Sequence, residues 1–400
     1  MQATQNKHLV LGITGGIAAY KTAELVRLLI KTGISVQVVM TKAACEFITP
    51  VTMQALSGRP VFTDMWNSAV GNGMPHIELS RSANAILIAP ASADFLAKLV
   101  HGRADDLLST LCLARDCGLL VAPAMNKQMW ESAATQRNIK QLELDGVTIL
   151  GPGAGEQACG EIGLGRMLEA EQLLALVNAH LTPKILAGKR VLITAGATLE
   201  MIDPVRAITN LSSGKTGYAL AQVAYNMGAT VTLVSGETSL TKPIGVNNIS
   251  TKSADDMYQA VMQNIASQKL ESNDIFISVA AVADYSVEKP SAQKIKKSDV
   301  SLTLNLKRNK DILADVAILP NPPFCVGFAA ETERLIEHAS HKRITKKLPL
   351  IVANLVQESM GNDKGNITLI DDSGSHALPR ADKATLAHEI LMHISQLMAN

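Results

Sequence analysis

Two glycine-bearing breaks in apolar runs are where this chain is equipped to hold an anion. The first lies in Leu9 to Lys21 (LVLGITGGIAAYK). The second lies in Val191 to Leu220, where Val191, Leu192 and Ile193 stop at Gly196 and Ser212-Ser213-Gly214-Lys215-Thr216-Gly217 leads into a helical pattern. A strand that ends at glycine frees backbone N–H groups, and the helix that follows adds the positive end of its dipole. Neither break is a standard nucleotide loop. Gly12-Ile13-Thr14-Gly15-Gly16 departs from G-x-G-x-x-G, and no acidic residue closes Val39-Met40-Thr41 to take a ribose hydroxyl, which argues against a nicotinamide site. Ser212 to Thr216 lacks the earlier glycine of a Walker loop and follows polar Asn210 instead of a buried strand. A monophosphate, as on FMN, fits the first break, with the hydroxyls of Thr14 and Ser92 as neighbours.

The elements that must position these residues alternate. Apolar runs of strand length at Leu9–Ile13, Val36–Met40, Ala85–Ala89, Leu119–Ala122 and Val147–Leu150 are separated by helical patterns, beginning with Ile17–Ile30. Continuous apolar strands joined by helices predict a parallel sheet covered on both faces, with ligands at the carboxyl ends of its strands. After a helix at Glu169–His180, residues Leu181–Lys189 carry Pro183 and Gly188 and read as a linker between a domain at 1–180 and one at 190–400. The second half repeats the alternation. Strands are expected at Val191, Thr230–Val234, Ile275–Val279, Phe324–Phe328 and Leu350–Val352, and helices at Gly217–Met227, Ala254–Gln268, Thr332–Lys347 and Ala381–Met398. Lys294–Lys307 reads as a hairpin or an arm. The fold class is α/β, with two doubly wound, mostly parallel Rossmann-like domains, the first flavodoxin-like.

Composition narrows the partners. With 400 residues, two cores are expected. The 37 basic and 36 acidic residues nearly cancel, which argues against nucleic acid as the main partner. The five cysteines form no C-x-x-C pair, so neither a zinc knuckle nor a disulfide framework is indicated. No apolar run reaches the roughly 18 residues of a membrane span and no signal sequence precedes the first strand, so a soluble, cytoplasmic protein is expected.

Three further stretches of the first half carry chemistry. His76 follows Gly71-Asn72-Gly73; Pro123-Ala124-Met125-Asn126 with Met129-Trp130 sits at a strand end; and Gly155 to Met167 (GEQACGEIGLGRM) surrounds Cys159 with glycines. His76 alone is more simply a surface or core histidine, and Met125, Met129 and Trp130 alone more simply core. Cys159 differs, because a glycine-rich loop is neither core nor metal knuckle and such loops act as lids. Together these residues resemble the flavin-dependent cysteine decarboxylases over about the first 170 positions. The resemblance implies that FMN takes two electrons from the substrate's cysteine moiety, giving a thioaldehyde that loses carbon dioxide. His76 would then assist proton removal, Asn126 would hold the carboxylate, and Cys159 would protonate the enethiolate. It further implies FMN contacts at Gly15, Gly16, Ile17, Thr41, Ser92, Ser109 and Met125.

In the second half stand D-P-V-R-x-I-T-N-x-S-S-G-K-x-G, Ala280 to Asp284, Lys294-Ile295-Lys296-Lys297, Gly327 to Thr332, and Lys342 with Lys346. Lysines near an aspartate suit a magnesium triphosphate, although for the lysines alone a solvated basic face is the simpler reading. The set resembles phosphopantothenate-cysteine ligase over most of Lys189 to Asn400, and the order of the halves is that of the bacterial bifunctional coenzyme A biosynthesis proteins. The resemblance implies activation of a carboxylate by CTP to an acyl-cytidylate that the cysteine amine attacks. Asn210 would hold that intermediate, Arg206 would assist, and Lys294 would stabilise charge. Ser278, Val279, Ala280, Asp284, Asn309, Lys310, Asp311, Ile312, Phe328, Lys342 and Lys346 would contact CTP, with Asp284 also on Mg2+. The family's G-P-T-R-E stands here as Gly196-Ala197-Thr198-Leu199-Glu200 and its K-N-P-D-I as Arg308-Asn309-Lys310-Asp311-Ile312, which puts contacts at Leu199 in question. The implied partners are small molecules and further copies of the chain, through trimeric decarboxylase and dimeric ligase contacts, up to a dodecamer. Two rivals are a flavodoxin-like electron carrier fused to a nucleotide-binding regulator, which needs no lid thiol, and an NAD-dependent dehydrogenase.

Overall fold

Five strands free of charged side chains, apart from a histidine at one end, make the first sheet. They are β1 (His8–Ile13), β2 (Ser35–Met40), β3 (Ala85–Ala91), β4 (Gly118–Pro123) and β5 (Thr148–Ile149). The computed structural model describes residues 7–66, 74–268, 270, 274–296, 302–355, 357 and 364–399. The chain divides into two units, Met1–Leu181 and Thr182–Asn400. In the first, the order is β2-β1-β3-β4-β5 and every pairing is parallel. Side chains alternate between two cores. Leu9, Leu11 and Ile13 pack with helices Ala19–Lys31 and Ala170–His180, while Val10 packs with Phe95, Leu108 and Ile139 of the helices on the other face. This alternation is why β1 has to be apolar throughout.

The glycine-rich stretch expected as a lid loop is instead a small antiparallel hairpin, β6 (Gly153–Glu156) with β7 (Ile162–Arg166). Its glycines are required: Gly165 has φ +136, and a Cβ there would strike the carbonyl oxygen of Met125.

The second unit contains β8 (Arg190–Ala195), β9 (Leu199–Met201), β10 (Ala207–Thr209), β11 (Thr230–Ser235), β12 (Asn247–Ser250), β13 (Ile275–Ser278), β14 (Tyr285–Val287), β15 (Leu306–Arg308), β16 (Phe324–Glu331), β17 (Leu350–Leu355), β18 (Lys364–Asp371) and β19 (Gly374–Asp382). Its main sheet runs β12-β11-β8-β13-β16-β17-β18-β19. The first six strands are parallel, and β18 and β19 close the edge antiparallel. Helices Lys215–Asn226 and Lys383–Ala399 cover one face, through Leu220, Ala224, Leu386 and Ile390; Met257, Val261, Leu313 and Val316 cover the other.

Several boundaries differ from the sequence reading. Residues 182–189, read as linker, pack on the second unit: Leu186 is buried in its core and its N–H donates to Met227 O at 2.9 Å. Val279 lies beyond β13, and the charged helix is shorter, Leu335–Thr345. The final helix begins at Lys383, because residues 374–382 pair as β19 instead. Of the expected hairpin or arm, Leu306–Arg308 pairs with Tyr285–Val287; Lys297 and the rest of 297–301 lie outside the described residues, as does Gly71-Asn72-Gly73.

Phe276 on β13 is fully buried. Phe276→Ala is expected to cost about 3–5 kcal/mol of stability, read as a lower urea midpoint for the second unit; an unchanged midpoint would show that this core is not what holds the sheet.

Candidate active sites

In the first unit a cavity of about 670 Å³ opens at the carboxyl ends of β1, β3 and β4. Gly15, Gly16 and Ile17 follow β1, Ser92 follows β3, and Met125 and Asn126 follow β4; all six line it together with Cys159. The strand ends are tied by one buried residue. Thr14 donates its hydroxyl to Pro90 O at 2.7 Å and accepts from Ser92 N at 3.0 Å. Helix Ala19–Lys31 has no side-chain cap and no acidic residue in its first turn. Ala19, Tyr20 and Lys21 close onto the carbonyls of Gly16, Ile17 and Ala18, which leaves the N–H groups ahead of them without helical partners. A Cβ on Gly15 would stand 2.7 Å from that of Ala43, so the turn is as tight as an anion cradle needs. Exposed Ile17 and Met129 line the same cavity and supply apolar surface for a planar ring.

Asn126 is fixed by its own helix. Its Oδ1 accepts from Gln128 N at 2.8 Å and Met129 N at 3.2 Å as the N-cap of Lys127–Glu131, which turns Nδ2 toward the β6–β7 hairpin. There Nδ2 donates to Glu161 Oε2 at 2.5 Å and lies 3.7 Å from Cys159 Sγ. Glu161 also accepts from Gln128 Nε2 at 3.0 Å and lies 3.8 Å from Cys159 Sγ. Amide, thiol and carboxylate therefore converge. Lys21 is buried beside them, with Nζ held by Glu169 at 2.7 Å and Met167 O at 3.1 Å.

Three expected residues fall outside this cavity. Thr41 follows β2 and its Oγ1 accepts from Ala44 N. Ser109 is buried and completes a capping box with Asp106, so its hydroxyl is spent on its own helix. His76 sits in helix Pro75–Arg81, away from the cavity, and its buried Nδ1 has no hydrogen-bond partner among the described residues.

In the second unit the strand ends meet at the segment 280–284. Its N–H groups donate to Thr194 Oγ1 (Ala280, 3.3 Å), Gly196 O (Ala281, 2.8 Å) and Thr198 Oγ1 (Ala283, 3.0 Å). Two side-chain amides take its carbonyls: Asn210 Nδ2 donates to Ala281 O at 3.0 Å and Asn309 Nδ2 to Ala283 O at 2.8 Å. Gly196, Gly214 and Gly236 stack backbone on backbone beneath it, and a Cβ on Gly214 would lie 3.3 Å from the Gly196 Cα.

Two charged groups flank this segment. Asp203 is buried; its Oδ1 accepts from Val205 and Arg206 N–H, and its Oδ2 accepts from the Arg206 guanidinium at 2.6 Å and from Ile295 N at 3.1 Å. Arg206 also donates to Ile295 O at 2.8 Å, so Arg206 is fixed to the segment that carries exposed Lys294. On the other flank Lys342 donates to Phe328 O at 2.9 Å, and Lys346 pairs with Asp311 at 2.6 Å. Burial lowers the Lys342 pKa, with Lys346 adding to the effect and Asp284 among the carboxylates that oppose it. Burial pushes the Asp311 carboxyl up, but Lys346 and the helix N–H of Ala314 more than offset this. Asp284 is exposed, and its carbonyl accepts from Asn309 N.

Lys310 is not brought to the strand ends. It pairs with Asp255 at 3.0 Å and stands 4.4 Å above the Tyr258 ring. Ile312 is buried core, Ser278 closes β13, and Val279 packs near Gly217. Leu199 pairs with Thr209 across β9 and β10. Glu161, Lys21 and Asp203 were missed from sequence; of these Asp203 carried a signal, since Asp-Pro opens the turn that its carboxylate then holds.

Each of the two doubly wound α/β units thus gathers polar groups at its strand ends. Residues 1–182 match the family model described as Flavoprotein, and residues 186–398 match DNA/pantothenate metabolism flavoprotein C-terminal domain. The Coenzyme A biosynthesis bifunctional protein CoaBC of Vibrio vulnificus (strain CMCP6) is 52% identical over 406 residues, covering 100% of both chains. That of Escherichia coli (strain K12) is 44% identical over 396 residues, covering 97% of this chain and 96% of the other. A crystal structure of the C-terminal domain of a coenzyme A biosynthesis bifunctional protein aligns with TM-score 0.46 at 39% identity, covering 54% of this chain and 98% of that one. The chain belongs to the coenzyme A biosynthesis bifunctional protein family, and it is a bifunctional decarboxylase and ligase. Among the described residues no helix is long and apolar enough to cross a membrane.

Hydrogen bonds from Arg206, and then from three backbone N–H groups, hold the Asp203 carboxyl well below the usual range. A carboxyl depressed in the folded state contributes stability above its unfolded pKa of about 3.9, and that contribution is lost as pH falls toward the folded value. Asp203→Asn should lower the urea midpoint at neutral pH and flatten its decline between about pH 5 and pH 3. Equal acid slopes for the two proteins would count against this pairing.

Proposed function

We propose that residues 1–180 form an FMN-dependent phosphopantothenoylcysteine decarboxylase and residues 190–400 a CTP-dependent phosphopantothenate-cysteine ligase. The observation that carries the first assignment is the single cavity that gathers Gly15, Ser92, Met125, Asn126 and Cys159 from separate segments. FMN, when bound, supplies a two-electron oxidation of the substrate's cysteine moiety and the return of those electrons. Gly15, Gly16, Ile17 and Ser92 hold its phosphate end and Met125 its ring. Asn126, with its amide hydrogens turned inward by the helix cap, donates to the substrate carboxylate. Glu161 occupies that donor in the free chain and is displaced as substrate enters. Cys159 delivers a proton to carbon after carbon dioxide leaves.

His76 lies outside the cavity of its own chain, so its proposed role in proton removal requires a second copy to bring it there. That fits the implied trimer. It also gives the unpartnered Nδ1 a setting, since a buried polar atom without a partner is costly.

In the second half, the phosphopantothenate carboxylate attacks the α-phosphorus of CTP and pyrophosphate leaves; the cysteine amine then displaces CMP. Asn210 binds the acyl-cytidylate while anchored to Ala281 O, and Arg206 with Lys294 offsets charge on the reacting groups. Lys342 and Lys346, next to Asp311 and Asp284, suit a triphosphate with Mg2+ on the Asp284 carboxylate. Lys310, held at Asp255, contributes through its backbone alone.

The purified chain should convert phosphopantothenate, cysteine and CTP to phosphopantetheine. Asn210→Ala should reduce ligation by at least about 100-fold with decarboxylation intact, and Cys159→Ser should do the reverse. Pyrophosphate release from ATP but not CTP would sink the nucleotide assignment. Mixed oligomers of His76→Asn and Cys159→Ser should regain decarboxylation that neither variant has alone; failure in demonstrably mixed oligomers would place His76 in its own chain's site.

A further inference from the structure

Away from both strand-end sites, the hairpin β18–β19 and the C-terminal helix bring two imidazoles and a carboxylate to one point. Asp371 ends β18, His376 lies near the start of β19, and His393 projects from the helix Lys383–Ala399 that covers them. One ligand atom from each lies within 4.8 Å of the others. His393 Nε2 stands 2.7 Å and His376 Nε2 3.3 Å from the same Asp371 Oδ2. The other carboxylate oxygen is already committed, accepting from Ser373 N at 2.7 Å and Ser373 Oγ at 2.6 Å. The carboxylate is therefore oriented by its own hairpin turn, with Oδ2 turned to both rings, while His376 Nε2 is shared with Oδ1 at 3.3 Å and with Ser373 Oγ at 3.1 Å. The ring centroids are 5.1 Å apart and tilted by 50°, so the two nitrogens converge without the rings stacking.

We propose that Asp371, His376 and His393 form a binding site for one divalent transition-metal ion of the zinc class, clamping the edge hairpin to the C-terminal helix. Metal–nitrogen and metal–oxygen bonds of about 2.0–2.2 Å in a tetrahedron set neighbouring ligand atoms about 3.3 Å apart. Of the observed separations the 3.3 Å one already matches, the 2.7 Å one needs a small opening, and the two imidazole nitrogens lie within 4.8 Å of each other. Two imidazoles and a carboxylate are a ligand set for zinc and its neighbours, not for magnesium or calcium, which take oxygen. Ser373 plays the outer-shell part that holds a ligating carboxylate in place. The Asp371 and His393 side chains are 2% and 19% exposed and His376 is 40% exposed, which leaves an entry side and a fourth position for water.

The site is tested on the full chain, stripped with a chelator and dialysed, by zinc titration with calorimetry and metal analysis. Wild type should bind one equivalent of zinc that both His376→Gln and His393→Gln bind at least tenfold more weakly, with a zinc-dependent rise in the melting temperature of wild type alone. If His393→Gln fails to fold, the more exposed His376→Gln decides. No zinc taken up by wild type, or equal affinity in wild type and His376→Gln, overturns the proposal and leaves the cluster as a hydrogen-bonded latch.

Discussion

A parallel strand buried on both faces cannot simply stop, because its last N–H and C=O groups lose their sheet partners while still shielded from water. Both units meet that demand at the carboxyl ends of their strands, and both sites grow out of the solution. In the first, Thr14 ties β1 to β3 through Pro90 O and Ser92 N. In the second, Thr194 and Thr198 receive the N–H groups of Ala280 and Ala283, while Asn210 and Asn309 cover the carbonyls between them. The groups placed to meet substrate are neighbours of the groups that satisfy the backbone.

This shared origin explains which parts of the molecule could be read from the sequence. Strands such as Leu9–Ile13 and Ala85–Ala89 announce themselves because burial on both faces forces unbroken apolar runs, and Gly196 marks a true strand end. The cavity residues after β1, β3 and β4 follow from the same rule. The hairpin β6–β7 was illegible as a hairpin because glycine dominates it, leaving no alternation to detect. The pair β18–β19 was missed although β18 alternates and Asp372-Ser373-Gly374 is a turn signal; only its last two residues, Ala381 and Asp382, were read, as the start of a helix. Ser109 shows a different limit. A hydroxyl beside a predicted site cannot be distinguished from a capping hydroxyl until the helix start is located.

Pairings over long sequence distances lay beyond any local pattern. Glu161 meets Asn126 across 35 residues, and Asp203 reaches Ile295 across 92. The types were visible and the distances were not. His76 is the instructive case, since its residue type was visible while its place outside the cavity of its own chain was not.

The segment Arg308 to Ile312 carries Lys310 where the resembled K-N-P-D-I pattern has proline, and the exchange has a physical consequence. A proline at position 310 would stiffen the chain through its ring and limit the unfolded ensemble whatever the solvent. Lys310 instead holds the loop by an exposed ion pair to Asp255 and by its contact with the Tyr258 ring. Attractions between exposed charges weaken as salt shortens the Debye length, to about 8 Å at physiological ionic strength. The tether at residue 310 therefore slackens as salt rises, a sensitivity that a proline-stiffened loop would lack, while Asn309 beside it stays held by neutral hydrogen bonds to Ala283 O and Asp284 O.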